Sequence, residues 1–305
     1  MYSIIAISKF LKFSYFKKLK FILRGIFFKQ QINDLFNLLN QKELHYFLVN
    51  YPEILNKPFR SYQCCNMPTH EKFKNIYFHY SFLKQKFCSE KIQMIYSFKG
   101  FNLLETMLSE NLLSLRLCYV GNLGKEGELT LMMLLDNKEI YSIQFSFIEK
   151  SNQVEIYLCG IQSRNDVNGD ELKDITKKMY GLRPRNFIIF TLRVIGSYFN
   201  LLLIQAVKTN FHTSNCSRVK KTGKFFANYN EYWEEEAGVD NQQFYTLSTI
   251  NRKKEMTEIP SKKRSLFKQR YQMLDAYELE IKNNLSLLTK KDDKTNIFVK
   301  EDKSI

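Results

Sequence analysis

The 305-residue sequence predicts a mixed α/β fold. Three observations carry that prediction: an alternating meander across residues 128–162, a proline-started helix at Pro184, and an apolar run, "LLLIQAV", directly after that helix. Alternation of period two marks antiparallel strands with one face buried. A helix that feeds back into a fully apolar run marks a crossover to a buried central strand.

From the N-terminus, residues 1–60 read as a basic helical segment. Its first 33 residues hold Lys9, Lys12, Lys17, Lys18, Lys20, Arg24 and Lys29 and no acid. Lysines interrupt the phenylalanines throughout, which excludes a secretory signal and a membrane span. Two readings remain: a basic helix packed on its own domain, or a segment lying on an anionic membrane with its aromatic side chains down. Leu35, Leu38, Leu39, Leu44, Phe47 and Leu48 then recur at helical spacing until Pro58, which predicts a break. Residues 70–115 read as further helix, with "HYSFLKQKF" and "FNLLETMLSENLL" as the best stretches.

The core, residues 61–250, changes period in its middle. Tyr141, Ile143, Phe145 and Phe147 alternate with Ser142, Gln144 and Ser146, and Val154, Ile156 and Leu158 repeat the pattern. Asp136–Asn137 and Ser151–Asn152 supply turns, and "SLRLCYV" is placed beside the meander. Residues 170–180 are helical. Pro184 suits the first position of the next helix, and Asn200 can end it in the left-handed conformation. Trp233, among Glu231, Glu234, Glu235 and Glu236, marks a solvated acidic helix start. Residues 251–288 form a basic helix, capped by Ser261 and docked through Leu266, Phe267, Tyr271 and Leu274. Residues 289–305 are a charged flexible tail.

The formal net charge of +15 suits a polyanionic partner, an anionic membrane surface or a phosphorylated ligand, although codon bias toward lysine has the same effect. No motif supports specific nucleic-acid recognition. The six cysteines show no framework spacing and suit a reducing compartment, hence a cytoplasmic protein, with peripheral attachment to the inner membrane as an extension. No metal site is expected, because His212 and Cys216 lack a second ligand pair.

The candidate site is "GLRP". A helix start offers unpaired N–H groups to an anion, and Gly181, Arg183 and Arg185 set a turn and two guanidiniums there. The competing reading pairs Arg183 with Asp174. Gln162, at a strand end, is placed either to orient a substrate amide or to cap the sheet edge. His212 and Glu128 are the candidate general bases, with Glu155 as a further carboxylate, while His70 and His79 read as packed helical residues. Meander, crossover helix and buried strand together resemble the centre of the N-acetyltransferase fold. That likeness implies an acyl carrier such as coenzyme A at "GLRP", yet some twenty residues (161 to 181) stand where acyltransferases use a short loop.

Six phrases occur in an order that resembles the bacterial VirK/YbjX family: "KPFRSY" (57–62), "EGELTL" (126–131), "YLCGIQ" (157–162), "TKKMYGLRPRNFIIFTLRVIG" (176–196), "YNEYWEEEAG" (229–238) and "EIPSKKRSLFKQRYQMLD" (258–275). The resemblance implies a virulence-linked role in envelope properties and survival of host antimicrobial peptides, and implies no catalytic residues. Ser163 and Ala237 stand where that family tends to carry glycine.

Overall fold

The two-residue turns of the meander set the architecture. Asp136 and Asn137 take φ of 50° and 63°, and Ser151 and Asn152 take 49° and 61°. Two consecutive positive φ angles match the twist of a tight hairpin. In this computed structural model, which describes residues 2–97, 99–121, 124–164, 167–216 and 228–290, those turns join three strands, β3 (Leu129–Leu135), β4 (Lys138–Lys150) and β5 (Gln153–Ser163). With β1 (Phe101–Leu108), β2 (Asn111–Cys118), β6 (Leu203–Val207), β7 (Val239–Asn241) and β8 (Phe244–Ser248) they form an eight-stranded sheet of order β1-β2-β3-β4-β5-β6-β8-β7. Every described pairing is antiparallel except β5 with β6. The mixed α/β class follows.

The β5–β6 pairing is short. It joins Ile156, Leu158 and the residue between them to Ile204–Ala206, and β5 then continues to Ser163 without β6. Cys159 is the extra residue of a bulge, since Gln144 faces Gly160 and Phe145 faces Leu158. The crossover between these strands carries α7 (Gly169–Lys178) and α8 (Pro184–Tyr198). Asn200 follows at φ 56°, as expected.

Upstream lie α1 (Ile4–Ser8), α2 (Tyr15–Phe27), α3 (Lys29–Leu39), α4 (His45–Asn50), α5 (Thr69–Lys86) and α6 (Ser89–Tyr96). Pro58 does not end the helical run. It sits inside a 3-10 helix, Pro52–Phe59, whose tighter turn tolerates the missing N–H. The stretch "FNLLETMLSENLL" is not helical either: it forms the β1–β2 hairpin, with Ser109 at φ 59° in the turn. A bulge between Asn102 and Leu104 buries both Leu103 and Leu104 and blurs the period of two, and pairing with β3 overrides the helix preference of Leu, Met and Glu.

Toward the C-terminus, α9 (Tyr229–Glu235) buries Trp233, whose Nε1 donates to Val207 O. Of the surrounding acids, Glu231 lies exposed in the first turn of α9, while the other three have partners. Glu234 accepts from the Tyr245 hydroxyl, and Glu235 and Glu236 pair with arginines of α8. The last helix, α10 (Ser261–Leu288), is preceded by Pro260 and receives no side-chain cap from Ser261. It docks through Leu274, Ile281, Leu285 and Leu288, while Leu266 is exposed. Along the sheet edge, Asn284 donates to Leu103 O and the Glu105 N–H donates to Glu280. Thr289 bridges to Phe87; the rest of the expected tail, residues 291–305, lies outside the described residues. One apolar cluster runs from Ile4 in α1 to Leu288 in α10.

The cysteines differ from expectation, because Cys65 and Cys216 form a disulfide across 151 residues. Ala237 takes φ 57° just after α9, a conformation that costs a residue with a Cβ about 1 kcal/mol. Ala237→Gly should therefore raise the midpoint of thermal unfolding by about 2 °C. An unchanged or lower midpoint in a melting experiment contradicts this account.

Candidate functional site

The chain enters β3 through Glu126, Gly127 and Glu128. A Cβ on Gly127 would lie 2.6 Å from Phe145 N, so only glycine lets the segment lie against β4. Glu128 is wholly buried. Lys57 Nζ, from the 3-10 helix, donates to both of its carboxylate oxygens at 2.8 Å, and the Tyr80 hydroxyl of α5 donates at 2.6 Å. Three charge-assisted hydrogen bonds offset a desolvation cost of several kcal/mol per ion. Burial works to discharge Lys57, yet the Glu128 carboxylate keeps its pKa above the usual value, so the lysine stays an ammonium. Burial and the same carboxylate push the Tyr80 and Tyr96 phenols up.

A relay of hydrogen bonds continues behind this pair. Tyr96 donates to Glu128 O at 2.8 Å, and His79 Nε2 lies 3.1 Å from the Tyr96 hydroxyl. His79 Nδ1 accepts from Phe147 N, which assigns the ring proton to Nε2. Burial, with help from Lys57, lowers the His79 pKa to about 3.

Above Lys57 opens a cavity of about 210 Å3. Its walls include Lys57, Tyr119, Glu53, Arg60, Tyr62 and Lys125. The Lys57 ammonium sits 5.1 Å from the centre of the Tyr119 ring. A Cβ on Gly124 would lie 3.0 Å from the Tyr119 hydroxyl and 3.2 Å from Lys57 Nζ, so a glycine there keeps both polar groups open to the cavity. Tyr62 is 1% exposed, and its hydroxyl has no hydrogen-bond partner among the described residues.

Glu126 belongs to a second cluster. Its carboxylate lies 3.4 Å from His212 Nε2 and packs against Gly160, where any side chain would collide with it. His212 is 2% exposed, with Nδ1 accepting from Ser214 N. Beside it, the Tyr229 hydroxyl donates to Ile161 O and accepts from Ile161 N, filling the gap where β5 leaves β6. The Cys65–Cys216 bridge ties the two loops that flank His212.

The "GLRP" turn lies elsewhere. Gly181 takes φ 76°, with Arg270 of α10 over its Cα and bonded to Tyr180 O. Arg183 does not pair with Asp174, which instead holds Lys178 at 2.8 Å. Arg183, 62% exposed, lies 3.7 Å from Glu235, and Arg185 pairs with the same carboxylate over the Tyr232 ring. A hollow of about 420 Å3 adjoins both arginines, between Tyr141, Leu172 and Pro184. Few helical N–H groups are left for an anion here, because Pro184 has none and those of Asn186 and Phe187 donate back to Arg183 O. Gln162 is exposed on β5, and Glu155 is buried on the same strand.

Sequence reasoning thus singled out Glu128 and His212 but missed Lys57, Tyr62, Tyr80, Tyr119 and Glu126. The available signal was that "KPFRSY" and "EGELTL", two phrases 69 residues apart in their first positions, each cluster charge around a glycine or proline. The fold brings both phrases to one place.

Fold and site define a mixed α/β protein with a mostly antiparallel eight-stranded sheet and a buried lysine–glutamate centre beneath a basic cavity. The chain belongs to the protein family of unknown function DUF535, whose profile matches residues 12–283. It is 27% identical over 268 residues to the uncharacterized protein YbjX of Escherichia coli K12, spanning 85% of this chain and 80% of that protein. An uncharacterized protein of Haemophilus influenzae Rd is 27% identical over 147 residues, 48% of each chain. No solved structure matches.

His79 gives this centre a pH signature. A folded pKa of about 3 against about 6.5 unfolded means stability is complete above 6.5 and falls as pH drops toward 3. Between about pH 7.5 and about pH 4 the protein should lose roughly 3 kcal/mol more than His79→Gln does. Parallel urea-stability curves against pH for the two proteins would contradict this.

Proposed function

We propose that this protein works at an anionic membrane surface, docked through α2. One observation carries the reading: Tyr15, Phe16, Leu19, Leu23, Ile26 and Phe27 are exposed, Phe16 at 76% and Phe27 at 84%. Their spacing makes one helix face. The opposite face, with Phe21 and Gly25, packs on the protein, Gly25 allowing Ile4 of α1 to lie against it. Helix geometry sets Lys17, Lys20 and Arg24 along one flank of the apolar stripe. A contiguous exposed apolar face flanked by cations fits the boundary of a bilayer with anionic headgroups. Among the described residues no helix is long and apolar enough to cross a membrane. A seat on the inner membrane also agrees with the role in envelope properties and antimicrobial-peptide survival that the family resemblance implies.

Removing residues 1–33 is a poor test, because Ile7, Leu11 and Phe21 belong to the core. The combined exposed changes Phe16→Ser, Leu23→Ser and Phe27→Ser should leave the melting midpoint unchanged. They should weaken co-sedimentation with phosphatidylglycerol vesicles about tenfold or more. Equal sedimentation of variant and wild type would refute docking through α2.

A second reading, acyl transfer, has its own support in the strand order, the parallel pair β5–β6 with its helical crossover, and the bulge at Cys159 where the two strands part. In the N-acetyltransferase fold such a gap takes the acyl carrier. Here the carrier's phosphates would meet Arg183 and Arg185 at the 420 Å3 hollow, with Gly181 shaping the turn and Gln162 near the strand end. Tyr229 would have to leave the gap. His212 beside Glu126 would be the base, since Glu128 is already committed to Lys57. Acetyl-coenzyme A should then produce a saturable thermal shift that Arg183→Ala abolishes. No shift in the wild type would remove this reading.

A further inference from the structure

We infer that the cavity above Lys57 is a binding site for a phosphodiester monoanion, the group that links a phospholipid to its headgroup. The wall charges set the valence. Lys57, Arg60 and Lys125 stand against Glu53 and the buried Glu128, which leaves one positive charge for the ligand to balance. A dianionic phosphomonoester would remain half compensated, and a neutral ligand would leave the charge unanswered.

The donors come from separate segments, residues 57–62, Tyr119 and Lys125. The Tyr62 hydroxyl is buried beside Glu128 and Ser146 without completing a hydrogen bond to either, and a buried donor left so is costly unless something fills the role. Burial raises the Tyr62 and Tyr119 pKa values, so both remain phenols able to donate. Lys57 directs two of its three protons to Glu128 and is thereby fixed in position at the cavity floor. Arg60 also lines the space; its Nε and Nη2 donate to the Asn56 side-chain oxygen, which fixes the guanidinium and leaves Nη1 to face a phosphate oxygen. Donors contributed by separate segments suit the several oxygens of a phosphate better than a planar carboxylate.

The neighbourhood names the source. The ring of Phe59, two residues after Lys57, packs against Phe21 of α2, and Arg24 of α2 lies over that ring at 5.7 Å. The basic flank of the membrane-docking helix therefore adjoins the segment that carries Lys57 and Arg60. Assignment of the phosphodiester to a lipid rests on the docking of α2 proposed above; the pocket itself does not.

The test titrates the full-length chain with glycerophosphoglycerol, a headgroup diester without acyl chains. Saturable heat is expected, with Tyr62→Phe and Arg60→Gln each lowering affinity about tenfold. Tyr62→Phe should also leave the melting midpoint equal or higher, because it deletes an unpartnered buried hydroxyl, so lost binding cannot be ascribed to misfolding. Absence of saturable heat, or wild-type affinity in both variants, would overturn the inference. Tighter binding of inorganic phosphate than of the diester would overturn the assigned class. Vesicle sedimentation separates the two proposals: diester binding without vesicle binding upholds the pocket and assigns it a soluble phosphodiester, while vesicle binding without diester binding removes the pocket alone.

Discussion

A buried lysine–glutamate pair constrains everything near it. Lys57 comes from the 3-10 helix, Glu128 from the entry to β3, Tyr80 from α5 and Tyr96 from α6. Loss of either ion leaves the other charge buried and uncompensated, a loss of about 3–5 kcal/mol. The bonds of the ion pair are short and directional, and they add to the apolar packing in holding the walls of the cavity above in one arrangement.

Local chemistry made the meander readable. Asn, Asp and Ser tolerate positive φ, so Asp136–Asn137 and Ser151–Asn152 announced their turns, and alternation on either side fixed which faces are buried. Pro184 and Asn200 marked α8 for the same local reason. The β1–β2 hairpin was not readable, since Leu, Met and Glu favour helix and only pairing with β3 decides otherwise. Pro58 misled in the opposite direction: its effect on an α-helix is strong, but the run it occupies is 3-10.

The site was less visible than the fold because its partners are far apart in sequence. Lys57 and Glu128 are 71 residues apart, and Arg185 and Glu235 are 50 apart. Composition gives no means of choosing among so many lysines and glutamates, which is why Arg183 was matched to the nearby Asp174. Glu128 and His212 were singled out for their types, but their surroundings, an ammonium in one case and an engaged imidazole lone pair in the other, exist only in the folded chain. The apolar stripe of α2 was written in residues 15–27 all along, and only packing distinguishes the half that the protein covers from the half it leaves open.

The shielding of strand β1 by α10 bears on how the chain is made. Asn284 and Glu280 occupy backbone groups of Leu103 and Glu105 that an outermost strand otherwise offers to any passing partner. Those guards are translated some 175 residues after the strand they protect. On the ribosome the emerging sheet thus spends much of its synthesis with a bare hydrogen-bonding margin, and a nascent chain in that condition is a natural client for chaperones.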